Sequence, residues 1–214
     1  MTPSPAIVTA RRAAFIETRN FYMRELTDAD ASERMAAWFD QPDVRNGLNV
    51  DTGGRSKADL ESYIRRFDQR SKVLLGIFDR HNDLLIGFLS VDIDWKIGRY
   101  LTNMVIGEEE YRNTGVSTAI SPAFRHYFFD VLGLKVMTAT ALSTNHAIAR
   151  YLKSTGWELN QTLRNRIRNH ADGSDVDLHL YSLTREAWSN WMAENPERLQ
   201  AMLDDAPNAA RHQK

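Results

Sequence analysis

The sequence predicts an α+β chain, with a mixed, mostly antiparallel sheet of about seven strands flanked by helices. Three observations carry that expectation. KVLLGIF and LLIGFLSVDI are β-rich runs on either side of the turn-like DRHND, and YLTNMVI extends this hairpin into an antiparallel meander. From Gly115 onward a helical stretch, a strand and another helix follow in order, the pattern of a crossover connection. Near the end, WELNQTLRNRIRN and DVDLHLYSL flank ADGS, where Asp172 and Gly173 favour a tight turn and a long hairpin.

Each element has a local reason. Residues 1–15, rich in Ala, Pro, Ser and Thr, are expected to form a flexible segment. Phe21 to Leu26 reads as a strand, after which Thr27 or Asp28 can cap the helix in TDADASERMAAWFD. Ser56 caps a second helix, on which Leu60, Tyr63, Ile64 and Phe67 form one apolar stripe. The helix from Gly115 to about Val131 contains Pro122, which should bend its axis. A strand over Leu134 to Ala141 and a helix from about Asn145 to Ser154 come next, then the hairpin. Beyond Thr184 two short helices part at Pro196 and end in the polar tail APNAARHQK. The expected organisation is therefore one domain over residues 16–188, with 189–214 a helical extension and tail. Trp188, Trp191 and Met192 follow helical spacing as a packing stripe, which with the last helix can also cover a homodimer surface.

Composition excludes several classes. The chain has 214 residues, 43% of them apolar, enough for one real core. No cysteine is present, so a disulfide framework, thiolate zinc and a cysteine nucleophile are all ruled out, and a cytoplasmic setting is expected. The six histidines show no ligand spacing, so no metal is expected. No apolar run approaches the ~20 residues of a membrane span. A net charge of -1 gives no general grip on nucleic acid, and Arg164 to Arg168 is too short a basic stripe to supply one.

Glu108 to Lys135 reads EEEYRNTGVSTAISPAFRHYFFDVLGLK. A strand, a short loop and a helix opening at Gly115 leave several unpaired N–H groups aimed at one point, and the helix dipole adds roughly half a positive charge. Arg112 can add a full one, while Gly115 and the small Ser117 let a ligand approach the backbone. This is an anion site by geometry. Glu108, Glu109 and Glu110 cannot all face such an anion, so some must turn toward an acceptor or solvent.

These residues resemble the GCN5-related N-acetyltransferase (GNAT) superfamily, in particular its Rim-type branch of ribosomal-protein N-terminal acetyltransferases. The resemblance runs from about Ile16 to Trp188 through RELTDADASERMAAWFDQPDVR, LIGFLSVDID, YRNTGVSTA, LGLKVMTATALSTNHAIARYLKSTGWE and TLRNRIRNHADGSDVDLHLYSLTREAW. It implies acetyl-CoA, as acyl donor, bound where the sheet splays between the fourth and fifth predicted strands, Leu101 to Ile106 and Val136 to Ala141. Pyrophosphate would lie on the loop. The implied cofactor-binding residues are Met104, Val105, Ile106, Arg112, Asn113, Thr114, Gly115, Val116, Ser117, Thr118 and Asn145. Asn113 stands where many relatives have glycine. Where many relatives carry an acidic tyrosine this chain has Leu152, and the serine of some Rim-type relatives falls at Ile148. Tyr151, about 100° round the helix from Leu152, is the neighbouring hydroxyl.

Acyl transfer to an amine needs a neutral nucleophile, a polarised carbonyl and a proton for the sulfur. Backbone N–H groups near Val105 or Ile106 are expected to hold the carbonyl oxygen. Glu108 ranks first as base, ahead of Asp92, Asp94 and Glu109; Tyr151 is the candidate acid. Arg164 shares a strand face with Arg166 and Arg168, and Asp177 shares one with His179 and Tyr181, so the hairpin is expected to pair Arg168 with Asp177. In the Rim-type branch this hairpin borders the acceptor site, which makes Arg164, Asp177 and His179 substrate-binding candidates; Asp92 and Asp94, alternating on the third predicted strand, are the other two. The expected activity is acetyl transfer to a primary amine, a protein amine ahead of a small one. A non-catalytic acyl-CoA-binding module is the alternative.

Overall fold

Strand pairing joins eight strands into one sheet in the order β1-β2-β3-β4-β5-β6-β8-β7. They are β1 (Phe15–Glu17), β2 (Phe21–Glu25), β3 (Lys72–Asp79), β4 (Leu84–Asp94), β5 (Arg99–Ile106), β6 (Val136–Leu142), β7 (Glu158–Arg168) and β8 (Asp175–Thr184). The computed structural model describes residues 15–49, 53–170 and 172–204; most of the segment expected to be flexible and the polar tail lie outside these. The strand absent from the sequence reading is β1, whose three residues are too few for a pattern.

Helices α1 (Glu33–Trp38), α2 (Pro42–Leu48) and α3 (Lys57–Ile64) cover one face of the sheet. Ser32 and Ser56 accept from the third amide of α1 and α3 respectively, as N-caps do. The sequence reading lacks α2, which is short and shows only Pro42 at its start as a signal. The other face carries α4 (Val116–His126), α5 (His146–Ser154), α6 (Arg185–Glu194) and α7 (Pro196–Asp204). Trp188, Trp191 and Met202 are buried in this second core, so the C-terminal helices pack on the domain. Alternation along β5 divides its side chains between the faces: Tyr100, Met104 and Ile106 meet the α4 side, Val105 the α1 side.

All neighbouring strands are antiparallel except β5 and β6. That parallel pair is held only at Arg99–Val136, Tyr100–Met137 and Leu101–Thr138. Both strands then run on, β5 to Ile106 and β6 to Leu142, and part into a V. Helix α4 returns beneath it. Pro122 does not end α4, which continues to His126 and widens into one π turn over Tyr127–Val131, closed by Leu132 N–H donating to the Tyr127 carbonyl at 2.9 Å.

The last hairpin corrects an expectation. Its register shifts between Leu163 and Ile167, where Asn165 has φ 48, and Arg168 therefore faces Asp175. Asp177 instead accepts from the Asn165 amide at 2.9 Å. A bulge breaks the period-2 alternation, so the Arg164, Arg166 and Arg168 face does not form as one row.

Candidate active site

The V opens into a cavity of about 840 Å³. Its walls are the free halves of β5 and β6, its floor α4 and α5, and its roof α2 with Ile167 and Leu178 of the hairpin.

Which amides point into the gap follows from the ladder on the other edge of β5. Gly107 N–H donates to the Ile86 carbonyl at 2.9 Å, and bonded pairs then recur at every second residue, at Val105 with Phe88 and Asn103 with Ser90. Thr102, Met104 and Ile106 thus direct their N–H groups toward β6, beyond the last β5–β6 pair at Leu101–Thr138. The Tyr100 carbonyl, on the same edge, accepts from Thr138 Oγ1 at 3.1 Å. Val105, expected as a carbonyl-holding donor, instead gives its N–H to β4 and buries its side chain against the α1 side. The Met104 and Ile106 amides are the ones that open toward the gap.

The loop after β5 leaves amides at the start of α4 without helix or side-chain acceptors. Asn113 has φ 58 and Gly115 φ 94, so Asn113 adopts the left-handed conformation that suits the glycine of many relatives, which asparagine tolerates. Thr114 Oγ1 donates to the Tyr111 carbonyl at 2.7 Å. The first intrahelical bond of α4 runs from Ala119 N–H to the Gly115 carbonyl, and no side chain caps the helix. The Val116, Ser117 and Thr118 amides therefore lack helix or side-chain acceptors, at the positive end of the dipole. Arg112 contributes differently from expectation. Its Nε and Nη2 donate to the Ile106 and Gly107 carbonyls at 3.1 and 2.8 Å, and Nη1 meets Asp43 at 3.4 Å. It clamps the strand end to α2 and holds its charge beside the loop.

Glu108 is not in the cleft. Its carboxylate accepts from Arg34 Nε at 2.7 Å, Arg34 Nη2 at 2.8 Å and Trp38 Nε1 at 2.8 Å, on the α1 side. Burial pushes its pKa up, but the bonds from Arg34 and Trp38 outweigh that and hold the carboxyl below its ordinary value. A carboxylate so committed and so acidic is a poor base. Gly107 is what lets Trp38 close over this site, since a Cβ there would lie 1.9 Å from the indole. Glu109 and Glu110 face solvent.

Helix α5 brings the remaining hydroxyl. Asn145 lines the cavity and caps α5, its Oδ1 accepting from Ile148 N–H at 3.2 Å. Tyr151, Leu152 and Ile148 all reach the cavity. The Tyr151 hydroxyl shares a short hydrogen bond with Ser121 Oγ and accepts from Arg125 Nη2 at 3.3 Å. Ser121 also donates to the Ser117 carbonyl at 2.6 Å, which orders the network along α4.

The five substrate-binding candidates do not line the cavity. Asp92 pairs with Lys72 at 3.9 Å, and Asp94 accepts from the Lys96 amide at 3.1 Å, both exposed. Arg164 is exposed, Asp177 is held by Asn165, and His179 Nδ1 meets Thr162 Oγ1 at 3.0 Å. Among the described residues no group of three or more His, Cys, Asp or Glu is placed to hold a metal, and no helix is long and apolar enough to cross a membrane. Sequence reasoning missed Ser121 and Arg125, whose signal was a hydroxyl and a cation inside the apolar run AISPAFRHYFF.

An open mixed sheet, split beside an uncapped helix start, makes a cleft that can seat an anionic ligand at its mouth. The comparisons agree: the family model for the acetyltransferase (GNAT) domain matches residues 20–158, and the chain belongs to that family of N-acetyltransferases, whose acyl donor is acetyl-CoA. An uncharacterised N-acetyltransferase, YoaA, of Bacillus subtilis (strain 168) is 26% identical over 174 residues, 79% of this chain and 96% of that protein. Two solved structures share the fold. Spermidine N-acetyltransferase from Vibrio cholerae, in complex with CoA and spermine, is 14% identical at TM-score 0.70, covering 80% of this chain and 99% of that one. Ribosomal-protein-S5-alanine acetyltransferase from Vibrio fischeri is 14% identical at TM-score 0.67, covering 82% and 98%.

Proposed function

We propose that the chain moves an acetyl group from acetyl-CoA to a primary amine by direct attack, with a protein amine as the favoured acceptor. The observation that carries this reading is one cavity with outward amides of Met104 and Ile106 on its wall and the uncapped start of α4 at its mouth. The pyrophosphate rests on the loop from Arg112 to Thr118, and Asn145 borders the pantetheine arm. The Met104 and Ile106 amides hold the thioester oxygen, where such donors supply a few kcal/mol of transition-state stabilisation. The amine nitrogen forms the C–N bond as the C–S bond breaks. Nitrogen then gives its proton to solvent at the open side, and the thiolate takes one from the Tyr151 hydroxyl, which recovers a proton from water in the open cleft.

Acceptor choice rests on charge. Among the described residues that line the cavity Asp43 is the one carboxylate, at the rim and beside Arg112, so these residues offer little to hold a polycation. That favours a single amine on a peptide, in keeping with the Rim-type likeness, over a polyamine. A CoA titration with a thiol-release assay across alanine-started peptides, lysine peptides and polyamines tests it. Turnover on peptides is expected; CoA binding without turnover on any acceptor overturns it in favour of a binding module.

A further inference from the structure

Arg125 is the most unusual side chain on the cavity floor. It is only 1% exposed, yet its Nε and Nη1 have no hydrogen-bond partner. Its Nη2 reaches the Tyr151 hydroxyl, and the guanidinium carbon lies 4.4 Å from the Trp188 ring centroid and 5.8 Å from that of Trp157. The titratable groups that face it are phenols, Tyr151 from α5 and Tyr100 from β5, and no carboxylate is among them. An arginine stays charged in proteins, so a buried cation stands without a counter-ion among the described residues. Trp157, also in the cavity wall, has a buried Nε1–H without an acceptor. The two side chains place unpaired donors just beneath the floor, flanked by the apolar Phe124, Met137 and Leu152.

Position adds the second argument. Residue 125 follows Val116 by about 14 Å of helix, which brings it level with the base of the V, because α4 runs back beneath β5. A donor entering at the loop, with its carbonyl at Met104, aims its acyl chain at that base. A four-carbon chain ending in a carboxylate extends roughly 4–5 Å past the thioester carbon and presents the acceptor-only group that the floor lacks.

We propose that the base of the cleft is a carboxylate subsite for the acyl donor, so that the chain also takes CoA thioesters of short dicarboxylic acids. The inference rests on the reading of the cleft as a CoA site. The probes are two stable thioethers of equal chain length, S-(3-carboxypropyl)-CoA and S-butyl-CoA, with CoA as reference, measured by calorimetry without any acceptor amine. The carboxylate form is expected to bind about tenfold more tightly than the butyl form. Arg125→Met should abolish that preference, and Arg125→Lys should keep part of it. A thermal melt of each variant reports folding; if Arg125→Met fails to fold, Trp157→Phe keeps an aromatic ring in place of the indole, removes one donor and should shrink the preference severalfold. Equal affinities in the wild type, or a preference that survives Arg125→Met, overturn the inference while leaving the CoA site standing. No CoA binding at all overturns both. Arg125-dependent binding of free succinate to CoA-loaded protein, without a thioether preference, assigns the carboxylate to the acceptor and overturns the donor assignment.

Discussion

Glu108 and Arg125 are both charged side chains taken out of water, on opposite faces of one sheet, and the fold treats them in opposite ways. Glu108 is enclosed by donors from α1, with both oxygens bonded. Arg125 keeps two of its nitrogens unpaired beside a cavity. A satisfied buried charge holds elements together, here the end of β5 to α1. An unsatisfied one is a standing cost to the fold and so points to a partner from outside. The carboxylate ranked first as base in the sequence is tied into the architecture, and an arginine that the sequence reading passed over lines the cavity.

Substitutions that open or fill the Glu108 side should have the largest effects on stability. Gly107→Ala places a Cβ on the Trp38 indole and is expected to destabilise by about 3 kcal/mol in chemical denaturation. Glu108→Ala leaves the Trp38 N–H and the half-exposed Arg34 without an acceptor, for a loss of about 2 kcal/mol. Its pH dependence has a fixed sign. Because the folded carboxyl is more acidic than the unfolded one, the unfolded state binds more protons, and stability falls as pH drops below the ordinary value of 4.5 toward the folded pKa. Glu108→Gln should flatten that part of the stability profile; an unchanged slope would remove Glu108 from the account.

On the opposite face the expected effects are on turnover first. Tyr151→Phe should lower kcat about 100-fold with little change in the KM for acetyl-CoA, as loss of an acid does. Equal loss in acetyl-CoA affinity would make Tyr151 a packing residue. The smallest effect has the less intuitive sign: Arg125→Met should raise stability by about 1 kcal/mol, since an apolar side chain replaces an unpaired cation. A clear loss would mean that its contacts with Trp188 and Tyr151 outweigh desolvation.

Much of the frame was legible because it is written locally. Alternating runs and caps gave seven of the strands and most helices, and the Arg112 to Thr118 loop stood out from the types of residue it contains. Asn113 is the instructive member, since asparagine reaches the left-handed backbone seen there at φ 58. What escaped depends on distant partners. The acceptor status of Glu108 is set by Arg34 and Trp38, 74 and 70 residues away. Whether Val105 or its neighbours face the gap is a matter of register with β4, which one strand cannot reveal. The hairpin pairing moved because Asn165 takes a positive φ in mid-strand.

The central claim is that the Gly115 loop and the V form one acyl-CoA cleft, and the most direct measurement is CoA affinity of Gly115→Trp against wild type, with a thermal melt of each. Gly115 has φ 94, so some strain is expected in the melt, but the side chain would stand over the uncapped amides of α4. The account predicts a CoA affinity at least about tenfold weaker in a folded variant. A folded Gly115→Trp protein that binds CoA as tightly as wild type would contradict it.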